Sequence, residues 1–366
     1  MKDGPSRSAA VEEAGPASQA EPNAPAQAPG WRRGLGRVIG AFQAFSGLLK
    51  RNRWLRLSLQ ATVLLACLAY LALNLRNAGD LLAGLRPNGG RLLAAWVLTT
   101  AAVYLGALAW WFTLLGMGLP AGLLPSLRAH LLSNLAKYLP GYAWQLVGKA
   151  YLSRQMGLPG GQIGLAMGIE LAQMVGVGGL LAAWLVPDSL LAQWSGAPEL
   201  AAQLSWLRWV SLGTLIALPL ALPLVLAALR RKGSAAIAGL RPIWFSASLL
   251  AVLAGWLLFG LAFWLLGAAL APLSGAELGL FIFTLASSII LGLAVLFVPG
   301  GLGVRESIMV FLLTSAGLPS ALTVVAAALL RLAVLLAELV GAFTLKIGLR
   351  LVEKKPPAGR IPQKDY

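Results

Sequence analysis

Charged side chains are scarce in this sequence of 366 residues: Asp, Glu, Lys and Arg together make up 11% of it. A soluble globular domain typically carries about 25% charged residues. Hydrophobic residues make up 58% of the chain, so its surface cannot be covered with charge. The composition excludes an ordinary soluble domain and predicts a protein that faces lipid.

Cysteine and histidine each occur once, as Cys67 and His130. A single cysteine excludes an intramolecular disulfide, and two such ligands are too few for a zinc site of the Cys/His type. The chain has no Walker-type Gly-Lys-Ser/Thr string, and Gly301-Leu302-Gly303 lacks the third glycine and the preceding strand of a dinucleotide fingerprint. The sequence contains neither a pair of acidic residues nor a nucleophile–base string of the kind that indicates a hydrolase. We therefore expect no metal, no cofactor and no catalytic residue.

Acidic residues are also few, 13 against 29 Lys and Arg, which gives a net charge of +16. The basic residues lie in short segments beside apolar runs, so anionic lipid and the positive-inside rule explain them better than nucleic acid does. Residues 31–56 hold seven Lys and Arg and no acid, and the segment after the last apolar run is also basic. This pattern predicts a multi-pass protein of the inner (plasma) membrane with both termini in the cytoplasm.

The two ends of the chain differ from its middle. Residues 1–30 show neither apolar periodicity nor the apolar core of a signal peptide, which predicts a disordered tail. In residues 31–54, apolar residues recur at helical spacing among arginines, which is typical of an interfacial amphipathic helix or of an extension of the next span. Residues 55–348 hold the long apolar runs of a transmembrane domain, and residues 349–366 are expected to be a cytoplasmic tail.

Seven apolar runs are long enough to cross a bilayer, which takes at least about 17 residues. They are Leu57–Leu75, Leu92–Leu115, Ile163–Val186, Leu207–Leu229, Ser246–Leu270, Leu278–Val298 and Leu322–Ile347. The loop 187–204 has no Lys or Arg and is expected outside, whereas the basic loop 230–241 is expected inside. Seven crossings that start inside cannot end inside, so Ser307–Ala316 is a candidate eighth, short crossing. The predicted fold is an all-α, polytopic helical bundle.

Two segments are interrupted by proline and glycine, residues that break helices. The breaking residues are Pro140 and Gly141 in the first segment, and Pro299, Gly300, Gly301 and Gly303 in the second. A broken helix leaves backbone groups without partners, which is tolerated at membrane depth only within protein or beside a wet cavity. Each break is therefore a candidate wall of a polar site.

The first broken segment has two amphipathic halves, Ser126–Leu139 and Tyr142–Met156. Each half carries a polar stripe at helical spacing. The two stripes are His130, Asn134 and Lys137 on the first half, and Gln145, Lys149 and Ser153 on the second. Both ends of the segment are expected on the cytoplasmic side, so we predict a re-entrant hairpin.

The broken segments also indicate a weak internal repeat. Pro140-Gly141 is followed by Gly157-Leu158-Pro159, and Pro299-Gly300 is followed by Gly317-Leu318-Pro319, at Pro-to-Pro separations of 19 and 20 residues (159 − 140 and 319 − 299). Paired interrupted segments in corresponding places point to a binding site between two halves. Because both strings are common turns in membrane chains, coincidence is the alternative.

Three charged residues, Glu170, Arg331 and Glu338, lie within the apolar runs. A charge at the centre of a membrane helix costs about 2.5–3.5 kcal/mol on insertion scales. Glu170 and Arg331 follow the second proline of their repeat copies by eleven and twelve residues. Either Arg331 holds an anionic head group that Glu170 and Glu338 orient, or it forms a structural ion pair with one of them.

Four further charged residues lie in the broken segments. Arg305 either binds phosphate together with the glycine N–H groups at a helix start, or is a positive-inside residue at the cytoplasmic edge. Glu306 either belongs to the same head-group site or is an ordinary acid in the first turn of a helix. Lys137 and Lys149 either form a basic funnel for anionic lipid or extend to the interface.

Residues 299–306, with the sequence Pro-Gly-Gly-Leu-Gly-Val-Arg-Glu, precede Gly317 and an Ala/Leu-rich run with Arg331. This arrangement resembles the membrane region of lysylphosphatidylglycerol synthases and their stand-alone relatives. Residues 137–141, Lys-Tyr-Leu-Pro-Gly, with Trp144 after them, are similar to the stand-alone members. The resemblance covers roughly residues 55–348 and implies a bundle that moves an anionic or aminoacylated phospholipid between leaflets. It also implies these motif positions: Pro299, Gly300, Gly301, Gly303, Glu306 and Arg331.

The chain departs from that family in two places. The last apolar run ends at Ile347 of 366 residues, so we expect no soluble aminoacyl transferase domain and no aminoacylation of lipid by this chain. Many family members carry Glu-Arg where this chain has Glu170-Leu171, which leaves the head group open. The alternatives are a membrane-embedded transferase acting on polyprenyl-linked sugars, or an accessory scaffold for a partner synthase.

Overall fold

The computed structural model of the chain describes residues 87–138, 143–195, 205–231, 239–294 and 303–353. Within these ranges the chain forms α-helices and two short 3₁₀ turns and contains no strand, which confirms the predicted all-α class. The helices are α1 (Gly89–Gly116), α2 (Leu123–Leu135), α3 (Ala143–Gln155), α4 (Gly160–Leu185), α5 (Asp188–Ser195), α6 (Ser205–Arg231), α7 (Pro242–Leu270), α8 (Leu278–Ala294), α9 (Val304–Ser315) and α10 (Ser320–Glu353).

Six helical segments of the described residues are long and apolar enough to cross a membrane. They lie in α1, α4, α6, α7, α8 with the 3₁₀ turn before it, and α10. Each matches one of the predicted runs, so the chain is a multi-pass membrane protein. The remaining predicted run, Leu57–Leu75, lies outside the described residues, as do the predicted tail 1–30 and the predicted interfacial helix 31–54.

The outer surface of these helices is apolar. Between 17% and 50% of the residues of each crossing window are buried inside the molecule, and large hydrophobic side chains such as Leu93, Leu220 and Phe343 are exposed, as expected of helices that face lipid. The interior is built mainly on α7, which packs along α1 and also contacts α8 and α10. Its Phe263 meets Phe281 of α8 edge to face, with ring centroids 4.9 Å apart.

The first broken segment is a helical hairpin, as its two polar stripes predict. Helix α2 continues into a 3₁₀ turn, Ala136–Tyr138, and α3 returns along it. The stripes face each other, since Gln145 Nε2 donates to Asn134 Oδ1 at 2.7 Å and Lys149 Nζ lies 3.1 Å from His130 Nδ1. Pro140 and Gly141, which join the two halves, lie outside the described residues.

The Gly-Leu-Pro strings of the proposed repeat adopt the same local structure. Gly157 and Gly317 both have left-handed backbone angles, with φ of 79° and 93°, and each ends a short helix. The carbonyl of Pro159 then accepts from Ile163, and that of Pro319 from Thr323, to begin the next long helix.

A third copy of this string shows how general the turn is. Gly118, followed by Leu119 and Pro120, has φ of 73° and comes directly after α1 rather than after a broken segment. Gly-Leu-Pro is therefore a helix-stopping turn in this chain, and the string alone does not establish a repeat.

Helix α9 is the segment predicted as a short eighth crossing at Ser307–Ala316. It has 12 residues, so its length of about 18 Å is well below the roughly 30 Å of a bilayer's hydrocarbon core. Gly303 precedes it with φ of 79°, a conformation that glycine adopts without steric cost. The other breaking residues, Pro299, Gly300 and Gly301, lie outside the described residues.

Candidate functional site: a buried charge network

Lys149 of α3 is a buried charged residue of the helical hairpin. Its side chain is 5% exposed, and Nζ lies 2.8 and 2.7 Å from the two carboxylate oxygens of Glu170 on α4. The ammonium lies 4.7 Å from the ring centroid of Trp110 on α1, a distance typical of a cation–π contact. His130 of α2 completes the group, with Nδ1 3.1 Å from Lys149 Nζ. Four helices therefore meet at one ammonium group.

Lys137 connects the hairpin to the last long helix. Its ammonium forms an ion pair and hydrogen bond with Oε1 of Glu338 on α10. Glu338 is 2% exposed, so its carboxylate is stabilised by this partner rather than by water. Gly341, one turn further along α10, faces α2. A Cβ at Gly341 would lie 3.4 Å from the Leu131 side chain of α2.

Arg331 of α10 pairs with the helix that follows the second break. Its Nη1 lies 3.5 Å from Oε1 of Glu306 in the first turn of α9. Arg305, the residue before Glu306, packs against α8 at Gly292, where a side chain would collide with it. A Cβ at Gly292 would be 2.6 Å from Cγ of Arg305. The first turn of α9 therefore contacts α10 through Glu306 and α8 through Arg305.

These contacts belong to one electrostatic group, which we call the charge network. Its members are Lys137, Lys149, Arg305, Arg331, Glu170, Glu306, Glu338 and His130. The charges of Arg305 and Arg331 both act on the Lys137 ammonium, and the charge of Glu338 acts on His130. With His130 neutral, four basic and three acidic residues give the network a charge of +1 (4 − 3).

The ion pairs of the two repeat copies correspond, with reversed polarity. In the first copy, Lys149 on the short helix α3 pairs with Glu170 on the long helix α4. In the second copy, Glu306 on the short helix α9 pairs with Arg331 on the long helix α10. Each Gly-Leu-Pro turn joins the two helices that such a pair connects. This correspondence supports the repeat more specifically than the turn strings do.

Two carboxylate oxygens of the network have unused hydrogen-bonding capacity. In the part of the chain that the structure describes, Oε2 of Glu306 and Oε2 of Glu338 are buried and have no hydrogen-bond partner. A buried acceptor without a donor costs about 1–3 kcal/mol, and more when it is charged. Both atoms can therefore accept a hydrogen bond from an ammonium or hydroxyl group of a ligand.

The structure places all seven charged residues that the sequence singled out in this network, but it corrects one predicted partnership. The ion-pair alternative for Arg331 named Glu170 or Glu338 as its partner. Instead, Arg331 pairs with Glu306, because those two acids already bind Lys149 and Lys137. Lys137 and Lys149 point into the protein and do not extend to the interface, whereas Arg154 of α3 is exposed.

A second polar contact inside the bundle was not predicted. Ser248 Oγ of α7 donates to Gln173 Oε1 of α4 at 2.7 Å and lies 2.9 Å from Thr113 Oγ1 of α1. Neutral residues such as these, and Trp110, form no polar stripe within the apolar runs, so no sequence pattern distinguishes them. Among the described residues, no group of three or more His, Cys, Asp or Glu side chains could hold a metal ion.

The chain matches no protein-family model, and no curated protein is significantly similar to it.

Proposed function

We propose that this membrane protein binds the head group of an anionic or aminoacylated phospholipid, or of a polyprenyl-linked lipid, in the charge network and moves it between leaflets. The observation that carries the proposal is the charge network itself. Seven charged side chains from four α-helices and one 3₁₀ turn meet among apolar crossing helices, although each costs about 2.5–3.5 kcal/mol at membrane depth. Charged residues inside a membrane domain commonly mark the path of a polar substrate or ion.

The composition of the network fits a head group with charges of both signs. Arg305 and Arg331 each act on Lys137 as like charges, and this repulsion is relieved when a phosphate lies near them. The buried Oε2 atoms of Glu306 and Glu338 accept from an amine or a hydroxyl group. The acyl chains stay in the lipid beside the bundle while the head group replaces its water shell with these side chains.

In this proposal the short helices are the elements that move during transport. The hairpin of α2 and α3, and α9 after the second break, are shorter than the bilayer core and hold the network against α4 and α10. Short helices beside a binding site in paired repeats are typical of transporters that open alternately to the two sides. The resemblance to the membrane region of lysylphosphatidylglycerol synthases implies the same activity. We place both termini in the cytoplasm, from the basic segments at the two ends.

The test is the movement of fluorescent phosphatidylglycerol between the leaflets of liposomes that contain the purified protein. We expect faster movement than in empty liposomes and a loss of that movement, at least tenfold, in Arg331→Ala. Arg208→Ala is the matched control, because Arg208 also forms an ion pair, with Asp188 at 2.5 Å, and is 25% exposed against 23% for Arg331. Equal movement in both variants would contradict the role of Arg331. No movement with any anionic or aminoacylated lipid would favour the transferase or scaffold alternative.

A further inference from the structure

The ring nitrogen Nδ1 of His130 has two competing partners. It lies 3.1 Å from Nζ of Lys149 and 3.1 Å from Oε1 of Glu170. The first partner is a donor and the second is an acceptor. A given Nδ1 either accepts a hydrogen bond or donates one, so it can satisfy only one of them at a time.

The neutral ring fits the first partner. Lys149 has three N–H donors, and three acceptors surround its Nζ: both oxygens of Glu170 at 2.8 and 2.7 Å, and Nδ1 of His130 at 3.1 Å. In this arrangement His130 carries its proton on Nε2. Every donor of the ammonium is then used, and the three side chains have no net charge together.

A proton on Nδ1 reverses this arrangement. The imidazolium donates to Oε1 of Glu170, and its charge repels Lys149, which has lost an acceptor. Lys149 is on α3, Glu170 on α4 and His130 on α2, so the exchange of partners weakens the link between α3 and α2. The side chains of Glu170 and His130 are 18% and 11% exposed, so a proton can reach the pair.

We infer that His130 and Glu170 form a proton-binding site, and that proton uptake at Nδ1 releases Lys149 and moves α3. The charged groups that act on His130 come from three neighbouring helices: Lys149 of α3, Glu170 of α4 and Glu338 of α10. Helix α1 contributes no charge, only Gly106, at which a Cβ would lie 3.4 Å from His130 Nε2. In the function proposed above, this proton is the ion to which lipid movement is coupled.

The first test reads the proton directly. His130 is the only histidine of the chain, so ¹⁵N-histidine labelling gives the signals of a single ring in the intact protein. At alkaline pH we expect the Nε2–H tautomer, and on acidification a doubly protonated ring. A neutral ring of the Nδ1–H form in the wild type, or a ring that stays neutral to the acid limit of the folded state, would overturn the inference.

A variant sharpens this measurement. In Lys149→Met the donor to Nδ1 is gone, so the neutral ring is expected to change to the Nδ1–H tautomer and donate to Glu170. In Arg154→Met, an exposed position on the same helix, the tautomer is expected to stay Nε2–H. An unchanged tautomer in Lys149→Met would contradict the geometry, and the wild-type measurement decides the matter if that variant does not fold.

The second test addresses coupling and rests on the proposed function. In liposomes with an imposed pH difference, we expect lipid movement to depend on the direction of that difference in the wild type and in Arg128→Gln, an exposed site on α2. The dependence should be absent in His130→Gln. Ring protonation without any lipid movement would refute the proposed function and leave the proton site standing, whereas lipid movement that is indifferent to the pH difference would refute the coupling.

Discussion

Lys149 shows how a basic side chain is accommodated at membrane depth. Its charge is offset by Glu170, its third donor is used by His130, and its remaining face lies against Trp110. Removing one member of such a buried pair is more costly than removing both, because the partner is left charged without compensation.

This arrangement gives a prediction about stability. Lys149→Met is expected to lower the free energy of unfolding by about 3–5 kcal/mol, because it leaves the buried Glu170 carboxylate without an opposite charge. The double variant Lys149→Met/Glu170→Gln should recover most of that loss. Denaturant unfolding in detergent micelles measures both values, with Arg154→Met as a control that stays within about 0.5 kcal/mol of the wild type.

A double variant that is no more stable than Lys149→Met alone would show that the two residues do not stabilise each other. The contacts of Glu170 with His130 would then have to explain why the Glu170 carboxylate is ionised.

At the scale of helices, the Gly-Leu-Pro turns place the short helices against the long ones. Gly157 has φ of 79° and nothing within 4 Å of the position of its missing Cβ, so the backbone angle is the only obstacle to a side chain there. Gly164, in the second turn of α4, has the same open space and no left-handed backbone angle.

These two glycines make a matched pair for mutation. Gly157→Ala is expected to lower the free energy of unfolding by about 1–2 kcal/mol, the cost of a left-handed angle for a residue with a Cβ. Gly164→Ala should be neutral or stabilising by up to about 1 kcal/mol, because alanine favours a helix more than glycine does. Comparing the unfolding midpoints of the two variants measures the difference. Equal effects would mean that the turn relaxes and does not fix the helix end.

Helix patterns also explain how much could be predicted from the sequence. The polar stripes of α2 and α3 predicted the hairpin and the faces that meet, because a spacing of three or four residues fixes one side of a helix. The partners of Arg331 and Glu338 could not be predicted, since they depend on the rotation and depth of α9 and α10 relative to α2. The rotation and depth of these helices depend on side-chain packing, for example at Gly341 and Gly292. Such packing leaves no periodic pattern in the sequence.

At the scale of the whole molecule, each repeat copy contributes one ion pair to the charge network, and the two pairs have opposite polarity. Lys137 and Glu338 form an ion pair between the copies, and α2 also packs against α10. A head group bound among Lys137, Arg305 and Arg331 would compete with these internal pairs. The central claim is therefore that Arg331 serves the ligand and is more than a structural partner of Glu306.

Exchanging the charges of that pair tests this claim most directly. The variants are Arg331→Glu, which places two acids together, and Glu306→Arg/Arg331→Glu, which restores an ion pair with reversed polarity. We expect the single variant to be destabilised and the double variant to fold with nearly wild-type stability.

The decisive measurement is the rate at which fluorescent phosphatidylglycerol moves between leaflets in liposomes that contain the double variant. The account predicts a folded protein that moves lipid at least tenfold more slowly than the wild type, because a cation of the head-group site has been displaced. A double variant that moves lipid at the wild-type rate would show that Arg331 and Glu306 only hold the helices together, and would contradict the account.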